Sequence, residues 1–221
     1  MRSINDGRCA FALSVSDVLE PEVLCRRISH IVELSRRFGS LGAVCVRNDS
    51  RSTENFEEAV LLTSTLWPGD MVLQSDDMST ISKAMLHTMD RQPLILCTDG
   101  TSLSVADVAA SAFGTSLAVE CSDPDDVVDI MSKISCEHPV LLLPSINMKG
   151  CLECTEHIRR LECVCPELAG IPTAIRCWSG EYSIAVATVA YMNGISLAIF
   201  DDLDEVGCEV MDLLVGSLHR S

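Results

Sequence analysis

The chain has 221 residues, of which 48% are hydrophobic but only 4% aromatic, with a formal net charge of −16 and a pI of about 4.5. Such acidity repels phosphate backbones and anionic lipid, which argues against a nucleic-acid partner, and no apolar run approaches the roughly 20 residues that span a bilayer. No basic-then-apolar leader opens the chain, so the expectation is one cytoplasmic domain covering residues 1–221, away from the membrane, with its twelve cysteines mostly reduced.

The elements follow in order as short apolar runs separated by segments of helical character. CAFALSV (9–15) comes first, and EPEVLCRRISHIVELSRRF (20–38) then places Val23, Leu24, Ile28, Ile31, Val32 and Leu34 in one band. GAVCV (42–46) and MVLQ (71–74) are the next two runs, with Trp67 between them before Pro68-Gly69, where it reads as a structural helix terminus. PLILC (93–97) precedes SVADVAASAF (104–113), and SLAVEC (116–121) precedes DPDDVVDIMSKI (123–134), whose Val127, Ile130, Met131 and Ile134 share a stripe. PVLLL (139–143), PTAIRCW (172–178) and SLAIF (196–200) complete eight runs. Each is continuously apolar instead of alternating, as in parallel strands covered on both faces.

Eight strand-then-helix units with no linker or low-complexity tract predict a single compact (β/α)8 TIM barrel with a parallel eight-stranded sheet, near the lower size limit of that fold. An open doubly wound sheet is the alternative, but the first turn reads SVSDVLEP and carries no G-x-G-x-x-G. Cys9, Cys45, Cys97, Cys121 and Cys177 fall on the predicted strands, where a small polarizable side chain packs well.

In such a barrel chemistry gathers at the carboxyl ends of the strands. Asp17, Asn48, Asp76, Asp99, Asp123, Asn147, Arg176, Trp178 and Asp201 stand there and are the candidate ligand-binding residues. Asp, Ser and Asn in those places also serve as helix N-caps, whereas Asn48, Asn147, Arg176 and Trp178 are not explained by capping. GCLECTEHIRRLECVCPELAG (150–170) offers Cys151, Cys154, His157, Cys163 and Cys165 as weak metal candidates. Their spacing matches neither a zinc ribbon nor a ferredoxin-type run, which argues against zinc and iron–sulfur. No G-x-S-x-G elbow, P-loop or H-E-x-x-H is present, so the sequence names no catalytic residue.

The succession LGAVCVRNDSRSTENFEEAV, MVLQSDDMSTISKAML and DRQPLILCTDGTSLSVADVAASAFGTSLAVECSDPDDVVDIMSKI resembles the TIM-barrel region of the corrinoid iron–sulfur protein, the gamma and delta subunits of acetyl-CoA decarbonylase/synthase. That resemblance implies a barrel in anaerobic one-carbon metabolism that binds or caps a corrinoid (cobalamin), or docks to a corrinoid-carrying partner during methyl transfer. The family's four-cysteine cluster domain and cobalamin domain have no counterpart in the 221 residues, so a protein partner or homo-oligomer is expected. Two alternatives stand beside it: a pterin-dependent methyltransferase-type barrel, and a non-catalytic structural or regulatory interaction subunit.

Overall fold

The computed structural model describes residues 10–88, 91–98, 102–121, 123–143, 170–177 and 183–218. Eight strands run β1 (Ala10–Ser16), β2 (Leu41–Arg47), β3 (Asp70–Gln74), β4 (Leu94–Cys97), β5 (Ser116–Glu120), β6 (Pro139–Leu143), β7 (Thr173–Cys177) and β8 (Leu197–Phe200). They close in sequence order, every neighbouring pair parallel, with β8 returning to β1 through Ala10↔Leu197 to Leu13↔Phe200. The fold is a compact α/β TIM barrel, as the runs of apolar residues predict.

Seven α-helices lie among the described residues: α1 (Pro21–Arg37), α2 (Thr53–Leu66), α3 (Met78–Ala84), α4 (Leu103–Phe113), α5 (Val127–Ser132), α6 (Ser183–Met192) and α7 (Glu205–Leu218). Their ends follow from local chemistry. Pro21 opens α1, with Glu22 in its first turn and Arg36 and Arg37 in its last, in line with the helix dipole. Ser52 caps α2 by accepting from the Asn55 N–H. Gly114 ends α4 at φ 60°, a left-handed position open to glycine at little cost. The helix expected over 123–134 divides into a 3-10 turn at Pro124–Asp126 followed by α5.

Residue parity sorts the strands into two cores. Phe11, Leu13, Val44, Val46, Met71, Leu73, Ile95, Leu117, Leu141, Ile175 and Phe200 pack outward against the helices. Ala12, Ala43, Cys45, Val72, Leu94, Leu96, Ala118, Val140, Leu142, Ala174, Leu197 and Ile199 form a separate inner cluster. Both faces are therefore buried, which is why the strands read as continuous apolar runs with no alternation. The alanines at the inner positions leave room for leucine and isoleucine from other strands, so the barrel is filled and encloses no pore.

The described cysteines behave as packing residues. Burial pushes the Cys45 thiol up to about 12 and those of Cys121 and Cys208 up to about 11, so none is poised as a thiolate near neutral pH. Cys9 lies outside the described residues. Among those residues no helix is long and apolar enough to cross a membrane.

One buried carboxylate ties α4 to the turn before β6. Asp107 is 6% exposed and accepts from the Ser135 and Cys136 N–H groups, each at 2.9 Å, and from Ser135 Oγ. Burial pulls its carboxyl upward, but the hydrogen bonds from Ser135 and Cys136 outweigh this and hold it below the usual carboxylate range. A depressed folded-state value stabilises the fold above the unfolded pKa of about 4, and this contribution is lost as pH falls below it. Asp107→Asn is expected to cost about 1–3 kcal/mol at pH 7. Urea midpoints should also fall less steeply between neutral and acid pH than in the wild type, and an unchanged acid slope would contradict this role.

Candidate functional site

Continuing the inward parity to the end of each strand exchanges alanine and leucine for polar side chains. Arg47 and Gln74 are the last residues of β2 and β3, Glu120 ends β5, and Arg176 is the penultimate residue of β7. Thr98 and Asp201 follow β4 and β8 directly. Together with Asn48, Asp49, Ser75 and Asp76 they line a cavity of about 570 Å³ at the carboxyl mouth of the barrel. Its lining carries two guanidiniums, Arg47 and Arg176, and four carboxylates, Asp49, Asp76, Glu120 and Asp201.

Asp201 organises the charged side of the mouth. Its Oδ1 lies 2.5 Å from Arg47 Nη1 and 3.8 Å from Arg176 Nη2, and Arg47 Nη2 lies 2.8 Å from Asp49 Oδ2. The side chains of Arg47, Arg176 and Asp201 are only 19%, 11% and 15% exposed. Burial opposes the charge on Arg47, yet the Asp201 and Asp49 carboxylates more than offset it, leaving this guanidinium above its ordinary pKa. The Arg47 guanidinium therefore presents a fixed positive charge to whatever occupies the cavity.

On the β2–β3 side of the mouth two carboxamides, Asn48 and Gln74, stand beside Arg47 and Asp76. The Asn48 N–H donates to the Gln74 carbonyl oxygen at 2.9 Å, continuing the β2–β3 ladder past the strand end. Asn48 Nδ2 donates to Ser75 Oγ at 2.9 Å, and Ser75 Oγ also accepts from the Asp77 N–H at 3.1 Å. Among the described residues, Asn48 Oδ1 and Gln74 Oε1 are buried without a hydrogen-bond partner.

Of the residues expected from the sequence, the structure brings together Asn48, Asp76, Arg176 and Asp201 on this one cavity. Asp17 and Asp123 stand apart from its lining. Asp17 is 4% exposed and accepts from the Asp49 and Ser50 N–H groups and from Ser50 Oγ, so it fastens the end of β1 to the loop before α2. Asp123 accepts from the Asp125 N–H and shapes the 3-10 turn before α5. Asp99, Asn147 and Trp178, like the weak metal candidates Cys151, Cys154, His157, Cys163 and Cys165, lie outside the described residues. Among the described residues no group of three or more His, Cys, Asp or Glu could hold a metal ion.

Beside Asp49 and Ser75, the lining holds Arg47, Gln74, Thr98 and Glu120, none of them among the nine candidates. A signal was present, since each is the polar residue closing or directly following an apolar run, one step before the turn residues that draw attention as caps.

No family model matches the chain, and no curated protein matches it. Its fold is similar to that of solved structures across nearly its whole length. A structure of Mycobacterium tuberculosis Rv1207 superposes with a TM-score of 0.68 at 14% identity, covering 96% of this chain and 93% of that one. The dihydropteroate synthase of Vibrio fischeri gives 0.71 at 11% identity, covering 97% and 94%. That of Yersinia pestis, solved with a pterin–sulfa conjugate, gives 0.72 at 11% identity with the same coverage. The chain thus shares the fold of these TIM barrels, two of which are dihydropteroate synthases.

Proposed function

We propose that the protein binds a pterin-class heterocycle in the mouth of its barrel, as a methyltransferase-type or related one-carbon group-transfer barrel. The observation that carries this reading is the ring of inward polar side chains around a cavity of about 570 Å³, on a fold shared with dihydropteroate synthases. A pterin is a flat bicycle edged with hydrogen-bond donors and acceptors. Guanidiniums, carboxylates and carboxamides on opposite walls offer the complementary set.

Size favours a pterin over a corrinoid inside the cavity. Small-molecule pockets span roughly 300–1,000 Å³, and a bicyclic ring fits such a volume, whereas a corrin macrocycle with its side chains would have to lie over the mouth instead of within it. The corrinoid reading, with its acetyl-CoA and anaerobic setting, is supported by the sequence resemblance alone. A docked protein partner or a homo-oligomer has the same standing.

Titration calorimetry with a reduced pterin tests the proposal. The expected result is saturable one-to-one binding that Arg176→Ala abolishes and Lys133→Ala, a change on the exposed face of the barrel, leaves intact. Binding that survives Arg176→Ala would overturn the site. Tight binding of cobalamin with no response to the pterin would return the assignment to the corrinoid reading.

A further inference from the structure

Two orphan acceptors share one stretch of wall. Asn48 Oδ1 and Gln74 Oε1 are buried and lack hydrogen-bond partners among the described residues, although an unsatisfied buried polar atom costs about 1–3 kcal/mol. Both residues line the mouth cavity, and the Asn48 N–H to Gln74 carbonyl bond makes them neighbours across β2 and β3. Native structures keep few such atoms, and each asks for a reason. A ligand bringing two N–H donors to the same edge would satisfy both.

The Asn48 carboxamide is held in place from behind. Its Nδ2 donates to Ser75 Oγ, a hydroxyl that is itself anchored by the Asp77 N–H and sits on a side chain only 4% exposed. With the nitrogen engaged on Ser75, the oxygen is left for the ligand. Asn48 and Ser75 also border a second, adjoining cavity of about 310 Å³ shared with Arg51, Asp76 and Asp77. Arg51 there has φ 57°, and a non-glycine residue in that left-handed region stores strain of about 1–3 kcal/mol, as loops at ligand sites often do.

We infer that Asn48 and Gln74 form a donor-reading wall, which fixes the bound ring with its amino and ring N–H edge toward β2 and β3, and that Ser75 is the positioning residue holding the Asn48 oxygen toward the ligand. This rests on the pterin reading and assigns the orientation of the ring within it. The opposite edge, rich in acceptors, then faces Arg176 on β7.

The test compares two probes that differ at that edge alone: pterin, with a 2-amino group, and lumazine, with a carbonyl in its place. Wild-type protein is expected to bind pterin at least tenfold more tightly than lumazine. Gln74→Leu and Asn48→Leu should each erase most of that preference. Ser75→Ala should reduce it several-fold with little effect on lumazine, and Ser75→Thr should restore it. A second readout needs no ligand: in the free protein the Asn48 side-chain amide signals in a nitrogen–proton NMR spectrum should move in Ser75→Ala and return in Ser75→Thr. Equal affinity for the two rings would overturn this orientation while leaving the pterin reading standing. Unmoved Asn48 signals in Ser75→Ala would overturn the positioning role, and binding of neither ring would overturn the pterin reading and the orientation together.

Discussion

Asp201→Ala is expected to abolish pterin binding and to lower stability by about 2–4 kcal/mol, because it removes a carboxylate from two largely buried guanidiniums. The loss has two parts. Arg47 sits 2.5 Å and Arg176 3.8 Å from the same Oδ1, so a single substitution disturbs β2, β7 and β8 at their carboxyl ends. Asp201→Asn keeps an acceptor of the same shape and removes only the charge, so it should recover part of the stability and little of the binding. Urea denaturation and calorimetry on the two variants separate these effects. Full stability and undiminished affinity in Asp201→Ala would show that the charged side of the mouth does not hold the ligand.

The second large effect lies at the other end of the barrel. Trp67 is 2% exposed, caps α2, and donates from Nε1 to the Asp70 carbonyl at 2.7 Å just where β3 begins. Gly69 lies so close that an added Cβ would meet the Trp67 ring at 2.7 Å and the Gly42 carbonyl oxygen at 2.9 Å. Arg91 Nη1 donates to the Trp67 and Gly69 carbonyls, closing the same corner. Trp67→Ala is expected to cost about 3–5 kcal/mol through the cavity it opens. Because this corner stands at the amino ends of the strands, the folded variant should bind pterin with wild-type affinity. A loss below about 1 kcal/mol would contradict the packing role, and a folded variant that no longer binds would contradict the separation of stability from function between the two ends.

That separation explains what the sequence disclosed. Runs such as PLILC and PVLLL mark strands because both of their faces are buried, and the strand bounds read from them agree with the structure to within a residue or two. The same double burial hides which residues face inward. In an alternating strand the polar positions would reveal the phase, but here Cys45 and Val46, one inside and one outside, are equally apolar. The phase becomes visible only at the tips, where Arg47, Gln74 and Glu120 break the apolar pattern on the inner face.

Turn residues were easier to notice and harder to interpret. Asp17 and Asp201 directly follow their strands and Asp76 and Asp123 come two and three residues after theirs, yet local N–H groups take up the carboxylates of Asp17 and Asp123. Whether a carboxylate after a strand caps a loop or faces the cavity depends on where its own loop folds back, and composition at that position carries no information about it. Asn48 and Arg176 stood out because capping does not account for them, and both line the mouth.

The most direct measurement of the central claim is a crystal structure of the protein soaked with a reduced pterin. The account predicts ring density within the carboxyl mouth, one edge on Asn48 and Gln74 and the other on Arg176. Density seated instead in the groove between α1 and α2, beside Leu24, Asn55 and Glu58, or an empty mouth at saturating pterin, would contradict it.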